Sequence, residues 1–314
     1  MTILILHRAT RIAGGIFCCL LALAGCQGER LETPTKGHVT IVVSESVSPL
    51  LKQEEQVFEE LYVEAHVDIE VASDREAIAR LFNDSITVIV SARPLNAEEI
   101  AVKNRFRLPV HEYKIAIDAV AVIVNNENPL RRLRTTELDS ILSGTVTRWN
   151  QLDVTGSSAK IALVLPEINA AAYEVVGTKV LHGRVYGRPS AIANSSPEMI
   201  QSVVKDPDAI GLVGMNWLKD KADAVRILEL ADPQAPDSLG RGKYFAPYQA
   251  YVYQGYYPIP REIYIYSTAD NYGVAAGFIS FITSGPGQKI VLNSGLVPAT
   301  MPVRLVETSN RSVQ

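Results

Sequence analysis

The chain has 314 residues, of which 47% are apolar and 20% charged, and its formal net charge is −4. These fractions are ordinary for globular proteins and exclude a disordered chain, a collagen-like fibre and a disulfide-dense miniprotein. The length predicts two domains or lobes, and the acidic balance gives no sign of a nucleic-acid-binding face.

The N-terminus is typical of a secreted protein. A basic stretch, 7–11, precedes a short apolar run, 12–24. A bilayer-spanning helix needs about 20 apolar residues, so this run predicts a signal peptide over 1–25. It ends in Leu-Ala-Gly-Cys, which resembles the lipobox of bacterial lipoproteins and predicts lipidation of Cys26. The alternative is a plain signal peptide followed by a chance cysteine.

The cysteine count fits this prediction. Cys18 and Cys19 lie in the apolar run and leave with it, and Cys26 carries the lipid. The mature domain therefore has no thiol for a disulfide, a metal site or nucleophilic catalysis. The polar stretch 26–36, which contains Pro34, is predicted to be a tether.

Alternating strands and helices follow the tether. In chain order, strands are predicted over 38–44, 66–71 and 86–90, each followed by a helix. Ser48 is the expected cap of the first helix, and 73–76 forms a capping box for the second. This order predicts an α/β fold with a parallel sheet and right-handed crossovers.

The second part of the chain continues the alternation. Predicted strands cover 114–125, 161–165, 210–213, 245–254 and 258–266. Predicted helices cover 137–143, a stretch starting at Asn169, 196–205, 272–283 and 288–293.

Motifs of common enzymes are missing from the sequence. It contains no G-x-S-x-G, no phosphate-binding P-loop, no H-E-x-x-H and no G-x-G-x-x-G. The five histidines are scattered. We therefore expect no enzyme activity, no metal and no cofactor, with an undetected hydrolase as the remaining alternative.

Polar loops stand where strands meet helix N-termini, at 44–48, 91–96, 169–173 and 194–196. Free N–H groups and the helix dipole make such N-termini suitable for anions. Arg93 adds a guanidinium that can grip an oxyanion with two hydrogen bonds. The alternative interpretation is that these polar residues only cap helices.

Several motifs follow one another in order along the chain, at 91–99, 116–129, 133–152, 209–214, 257–261, 277–281 and 285–298. Together they resemble one family, the periplasmic phosphate-binding, PstS-like components of ABC transporters. The resemblance covers about 38–307.

The resemblance implies a two-lobed periplasmic-binding-protein fold of type II, the Venus-flytrap class. Lobe 1 would comprise 37–118 and 260–314, and lobe 2 would comprise 119–259. Two crossing strands, near 118–124 and 257–261, would form the hinge. Phosphate would lie between the lobes, and closure would couple binding to lobe motion.

The resemblance also implies a set of ligand-binding residues. These are Ser44, Ser46, Ser91, Arg93, Asn169, Ala170 and Ala171. Two features depart from the family pattern. Alanines at 170–172 replace the hydroxyl donors of the second-lobe loop, and Glu45 would repel a dianion if it faced the cleft.

The sequence thus predicts a lipid-anchored, periplasmic or cell-envelope solute-binding protein for phosphate or a related oxyanion. Its expected partner is an ABC permease, it contacts the membrane only through the anchor, and it is a monomer. The alternative is the same fold with a changed or lost ligand, acting as a sensor, a scaffold or a surface lipoprotein.

Overall fold

The computed structural model describes residues 32–152, 157–219, 223–269 and 272–302. The predicted signal peptide, the predicted lipidation site Cys26 and the first half of the predicted tether lie outside the described residues. Within the described ranges, no helix combines the length and apolarity needed to cross a membrane.

The N-terminal segment alternates strands and helices as predicted. Its elements are β1 (Lys36–Ser44), a 3-10 turn (Glu45–Val47), α1 (Ser48–Leu61), β2 (Glu64–Ala72), α2 (Asp74–Phe82), β3 (Val88–Ser91) and α3 (Ala97–Phe106). β1 pairs in parallel with both β2 and β3, which confirms the parallel sheet here. Ser73 caps α2 by accepting from the Glu76 amide. Ser48 is the first residue of α1 and not its cap.

The central segment starts with one long strand. Its strands are β4 (His111–Val124), β5 (Arg132–Arg134), β6 (Ala162–Pro166), β7 (Ala191–Ala193), β8 (Ala209–Gly214), β9 (Arg226–Ile227), β10 (Glu229–Ala231) and β11 (Tyr244–Phe245). Its helices are α4 (Thr135–Leu142), α5 (Ala171–Lys179), α6 (Ser196–Lys205) and α7 (Gln249–Tyr253), with 3-10 turns at Trp149–Gln151, Met215–Trp217 and Asp237–Leu239.

The predicted strand over 245–254 is wrong. The stretch is extended only in β11 and then forms the short helix α7. Pro247 has no N–H to donate to a strand ladder. The helix turns Tyr251 back onto Phe245, with ring centroids 5.2 Å apart, and an extended chain would separate the two rings.

The C-terminal segment returns to the first part of the sheet. Its elements are β12 (Pro260–Ser267), α8 (Gly273–Thr283), α9 (Gly285–Asn293) and β13 (Val297–Pro298). β12 lies antiparallel between β3 and β4. The main sheet has the order β2-β1-β3-β12-β4-β8-β6-β7, so the chain is mixed α/β as predicted.

β4 joins the two halves of the molecule. Up to Ala119 it pairs with β12, and from Val120 it pairs with β8. The chain entering β12 crosses beside it, because the Val120 amide donates to the Ile259 carbonyl at 3.0 Å. One hydrophobic core contains Val43, Phe58 and Ile265. Two further core clusters lie on either side of β8 and include its residues Leu212 and Val213. We keep the names lobe 1 and lobe 2 for the two predicted segments.

Glu54 on α1 is fully buried. Within the described ranges, neither of its carboxyl oxygens has a hydrogen-bond partner. Burial favours the neutral acid and raises the pKa of Glu54 from 4.5 to about 9. The fold therefore holds this carboxyl protonated at neutral pH, while the unfolded chain ionises it.

This pKa difference predicts a pH-dependent stability. The free energy of unfolding is highest below pH 4.5, where Glu54 is protonated in both the folded and the unfolded chain. It falls as the pH rises to about 9, because only the unfolded chain releases the proton. By pH 7 the loss amounts to about 3 kcal/mol, at about 1.4 kcal/mol per unit. In urea unfolding at pH 5, 7 and 9, Glu54→Gln should match the wild type at pH 5 and exceed its free energy of unfolding increasingly at pH 7 and 9. Glu60→Gln, an exposed change on the same helix, should keep the wild-type pH dependence. Equal slopes for Glu54→Gln and the wild type would contradict the prediction.

Candidate functional site

The buried carboxylate of Asp74 lies where the two lobes meet. Asp74 is the first residue of α2 and is 1% exposed. It faces the ends of β1 and β3, where the predicted polar loops begin. An ionised carboxylate away from water requires hydrogen bonds, and its donors come from both lobes.

Lobe 1 supplies three of these donors. The Ser44 hydroxyl donates to Asp74 Oδ2 at 2.8 Å, and the Ser46 hydroxyl lies 2.8 Å from that of Ser44. The Ser91 hydroxyl and the Ala92 amide reach Oδ1 at 3.0 and 2.7 Å. Two predicted loops therefore converge on one carboxylate.

Lobe 2 supplies a fourth donor. The amide of Ala171 donates to Asp74 Oδ2 at 2.9 Å. Ala171 is the first residue of α5, and the first amides of a helix have no partner within it. We call Ser44, Ser46, Asp74, Ser91, Ala92 and Ala171 the Asp74 cluster.

A second carboxylate, that of Glu45, connects the two lobes beside the Asp74 cluster. The two carboxyl oxygens of Glu45 accept from the Ser196 amide at 2.9 Å and the Ser196 hydroxyl at 3.0 Å. Ser196 begins α6, so Glu45 lies at a helix N-terminus. Burial raises the pKa of Glu45, and the bonds from Ser196 oppose that rise.

Arg93 lies next to the cluster, but its guanidinium contacts other acids. Two nitrogens donate to the Glu99 carboxylate at 2.8 and 2.7 Å, and Nε ion-pairs with Glu174 of α5 at 3.0 Å. Burial lowers the pKa of Arg93, but hydrogen bonding and attraction to these acids outweigh it and raise the value. Burial also opposes charge on Glu99, whereas bonds from Arg93 and Asn96 lower its pKa.

The predicted residues Asn169 and Ala170 shape the loop before α5. The Asn169 carbonyl accepts from the Arg75 amide at 3.3 Å, and Ala170 is the residue that precedes the helix. Neither of them donates to Asp74 in the described contacts. Of the predicted site residues, Ser44, Ser46, Ser91 and Ala171 come together, while Arg93, Asn169 and Ala170 surround them.

A cavity of about 250 Å3 opens onto the cluster between the lobes. Three carboxylate residues, Glu45, Asp74 and Glu167, are among those that line it. Its other lining residues are Ser46, Val71, Ala72, Ser73, Ala170 and Asn194.

Sequence reasoning missed Asp74. An aspartate in the first turn of a helix is an ordinary match to the helix dipole, and the capping box explained Ser73 and Glu76 without it. The sequence signal for Asp74 was that it is a second acid between Ser73 and Glu76. The serines and amides that bind it come from distant segments, which only the tertiary structure brings together.

Comparison with known proteins identifies the family. A family model for a PBP superfamily domain matches residues 28–286. The chain belongs to the PBP superfamily. The expected resemblance to PstS-like proteins is confirmed by curated relatives.

The relatives and solved structures cover most of this PBP-superfamily chain. PstS of Staphylococcus epidermidis is 24% identical over 271 residues, covering 83% of this chain and 78% of its own. PstS of Pseudomonas aeruginosa is 23% identical over 287 residues, covering 86% and 85%. An ABC-type phosphate transport receptor from Vibrio cholerae has a TM-score of 0.64 at 21% identity, covering 84% and 100%. PstS from Borrelia burgdorferi has a TM-score of 0.53 at 23% identity, covering 84% and 99%. These structures confirm the two-lobed α/β fold.

A buried ion pair fixes the first loop of this PBP fold to the strands that link the lobes. Arg261 of β12 donates to Asp118 of β4 through Nε at 3.0 Å and Nη2 at 2.6 Å, and both side chains have no solvent exposure. Nη2 also donates to the Ser46 carbonyl at 3.2 Å. Gly214 is required beside it, because a Cβ there would lie 2.0 Å from Nη2.

Removing one partner of this ion pair should destabilise the fold more than removing both. Arg261→Met leaves Asp118 buried without its partner and should lower the free energy of unfolding by about 3–5 kcal/mol. The double variant Arg261→Met with Asp118→Leu should be less destabilised than Arg261→Met alone, as measured by urea unfolding. Arg80→Met, which breaks a more exposed pair with Glu70, should cost about 1 kcal/mol or less. A loss below 1 kcal/mol for Arg261→Met would contradict this role.

Proposed function

We propose that the chain is a lipid-anchored, extracytoplasmic solute-binding protein that holds phosphate or a related oxyanion between its lobes for an ABC importer. The observation that carries the proposal is the convergence of four neutral donors from both lobes on one carboxylate, Asp74. Phosphate oxygens accept the same kinds of bond from hydroxyls and helix N-termini. The interlobe contact is therefore built for an oxyanion.

Arg93 contributes charge to this proposed site. Attraction to Asp74 is among the causes that raise the pKa of Arg93, so its positive charge acts on the place that the carboxylate takes. Ser44, Ser46, Ser91 and Ala171 are the proposed direct donors. Asn169 and Ala170 are proposed to present the amides of the second-lobe loop.

The wider role follows from the relatives. The curated PstS proteins are named as phosphate-binding, and the Vibrio cholerae structure as an ABC-type transport receptor. For this chain we propose the same partner class, an ABC permease, with Cys26 as the lipid anchor in the periplasm or cell envelope. The proposed protein is a monomer with no catalytic step and no cofactor.

A second candidate function has support from the same site. The Asp74 and Glu45 carboxylates already accept hydrogen bonds from the amides of Ala171 and Ser196 at two helix N-termini. Glu167 adds a third carboxylate to the cavity, and a dianion entering there meets like charge. These contacts favour a PBP-fold protein whose ligand has changed or been lost, such as a sensor, a scaffold or a surface lipoprotein.

Titration of the delipidated protein with phosphate tests the proposal. The solute-binding function predicts calorimetric binding at micromolar or lower concentration. Arg93→Ala should weaken it at least tenfold, because the variant removes a positive charge and leaves Glu99 and Glu174 unbalanced. Arg105→Ala, an exposed change on α3, should bind like the wild type. No heat of binding up to millimolar phosphate would favour the second candidate.

The anchor is tested separately by metabolic labelling with a fatty-acid analogue. The wild-type chain should incorporate the label, and Cys26→Ser should lose it because the thiol is the acceptor. Cys18→Ser, which changes a cysteine in the predicted signal peptide, should remain labelled. Equal labelling of Cys26→Ser and the wild type would exclude Cys26 as the anchor.

A further inference from the structure

The Asp74 carboxylate meets donors that an external oxyanion would need. Both of its oxygens accept two hydrogen bonds: Oδ1 from Ser91 and Ala92, and Oδ2 from Ser44 and Ala171. We propose that Asp74 is a tethered internal ligand, which joins the lobes by itself and competes with an external oxyanion for the interlobe site. This inference rests on the proposed oxyanion-binding function for the identity of the competing solute.

The amide donors point to the same conclusion. Ala171 starts α5 and Ala92 follows the last residue of β3, so neither amide is used inside its own helix or strand. Both have Asp74 as their acceptor, at 2.9 and 2.7 Å. A buried amide without an acceptor destabilises the fold, so an external anion must supply the same acceptors if it displaces the carboxylate.

The tether makes Asp74 a strong competitor. Its backbone is fixed at the start of α2, where Ser73 caps the helix and the buried side chains of Ala77 and Ile78 hold the helix in the core. A group held in position by the fold acts at a high effective concentration and loses little entropy on binding. An external anion must overcome that advantage before it gains any contact.

Charge makes the two ligands mutually exclusive. The Glu45 and Asp74 carboxylates both line the interlobe cavity that a solute would enter. Two anions that share a small, partly desolvated site repel strongly. A phosphate dianion therefore replaces the Asp74 carboxylate and does not bind beside it.

The neighbouring cavity gives the exchange a route. Asp74 and Ser73 both line the interlobe cavity of about 250 Å3. Loss of the Asp74 side chain would extend this cavity to the hydroxyls of Ser44 and Ser91 and to the two amides. Removing the carboxylate should thus uncover an oxyanion site and not merely a void.

Two variants with a matched control measure the competition. Asp74→Ala removes the carboxylate, and Asp74→Asn keeps its size while replacing one acceptor oxygen by a donor group. Glu76→Gln removes a charge two residues further along α2, at an exposed position. In phosphate calorimetry, Asp74→Ala should bind at least tenfold more tightly than the wild type, equivalent to about 1.4 kcal/mol. Asp74→Asn should also bind more tightly, and Glu76→Gln should bind like the wild type.

Hydrogen exchange reports the internal ligand without any solute. The amides of Ala92 and Ala171 should be protected in the wild type and in Glu76→Gln before phosphate is added. In Asp74→Ala they should exchange faster, and phosphate should restore their protection. Unchanged exchange at buried β4 residues such as Val122 shows that the variant remains folded.

The outcomes separate this inference from the proposed function. Loss of protection in Asp74→Ala without phosphate binding by any variant supports the internal ligand and overturns phosphate as the solute. Equal phosphate affinity of the wild type and both Asp74 variants supports the proposed function and overturns the competition. Unchanged exchange of both amides in Asp74→Ala overturns the internal ligand outright.

Discussion

The charge of Asp74, buried between two lobes, sets the constraint on which the site depends. Water cannot solvate this carboxylate at 1% exposure, so the protein has to supply its hydrogen bonds. Four donors from three separate chain segments do so. These hydrogen bonds fix the start of α2 against the ends of β1 and β3 and against the start of α5. The positions of the sheet and of two helices at the cleft therefore depend on one carboxylate.

Among the described residues, hydroxyls and amides donate to the Asp74 carboxylate, and no cationic side chain donates to it. Parallel pairing of β1 with β3 places the Ser44 and Ser91 ends at one edge of the sheet, where open α/β sheets bind ligands. The Arg261–Asp118 pair connects the strands between the lobes to the Ser46 carbonyl. The first loop is thus fixed by the same elements that a lobe movement would bend.

The charged side chains of the cleft are held by contacts within the protein. The carboxylates of Asp74 and Glu45 accept hydrogen bonds from amides and hydroxyls. The Arg93 guanidinium forms ion pairs with Glu99 and Glu174. Under the proposed function, each bond to Asp74 would exchange for a bond to the solute, because both acceptors would use the same donors. A two-lobed protein of this kind tunes affinity through the stability of its internal contacts as well as through contacts to the ligand.

Local sequence determined most of the elements and part of the site. Hydrophobic periodicity and the Ser73 cap place β1, α2 and α6 correctly, because strand and helix periods and cap chemistry are local properties. The serines at the strand ends come together around Asp74, while the anion site inferred from them stays a prediction. The short helix α7 and the role of Asp74 were decided by tertiary structure alone. Aromatic stacking across a turn and the gathering of donors from distant segments depend on which surfaces meet, and no single stretch of sequence carries that information.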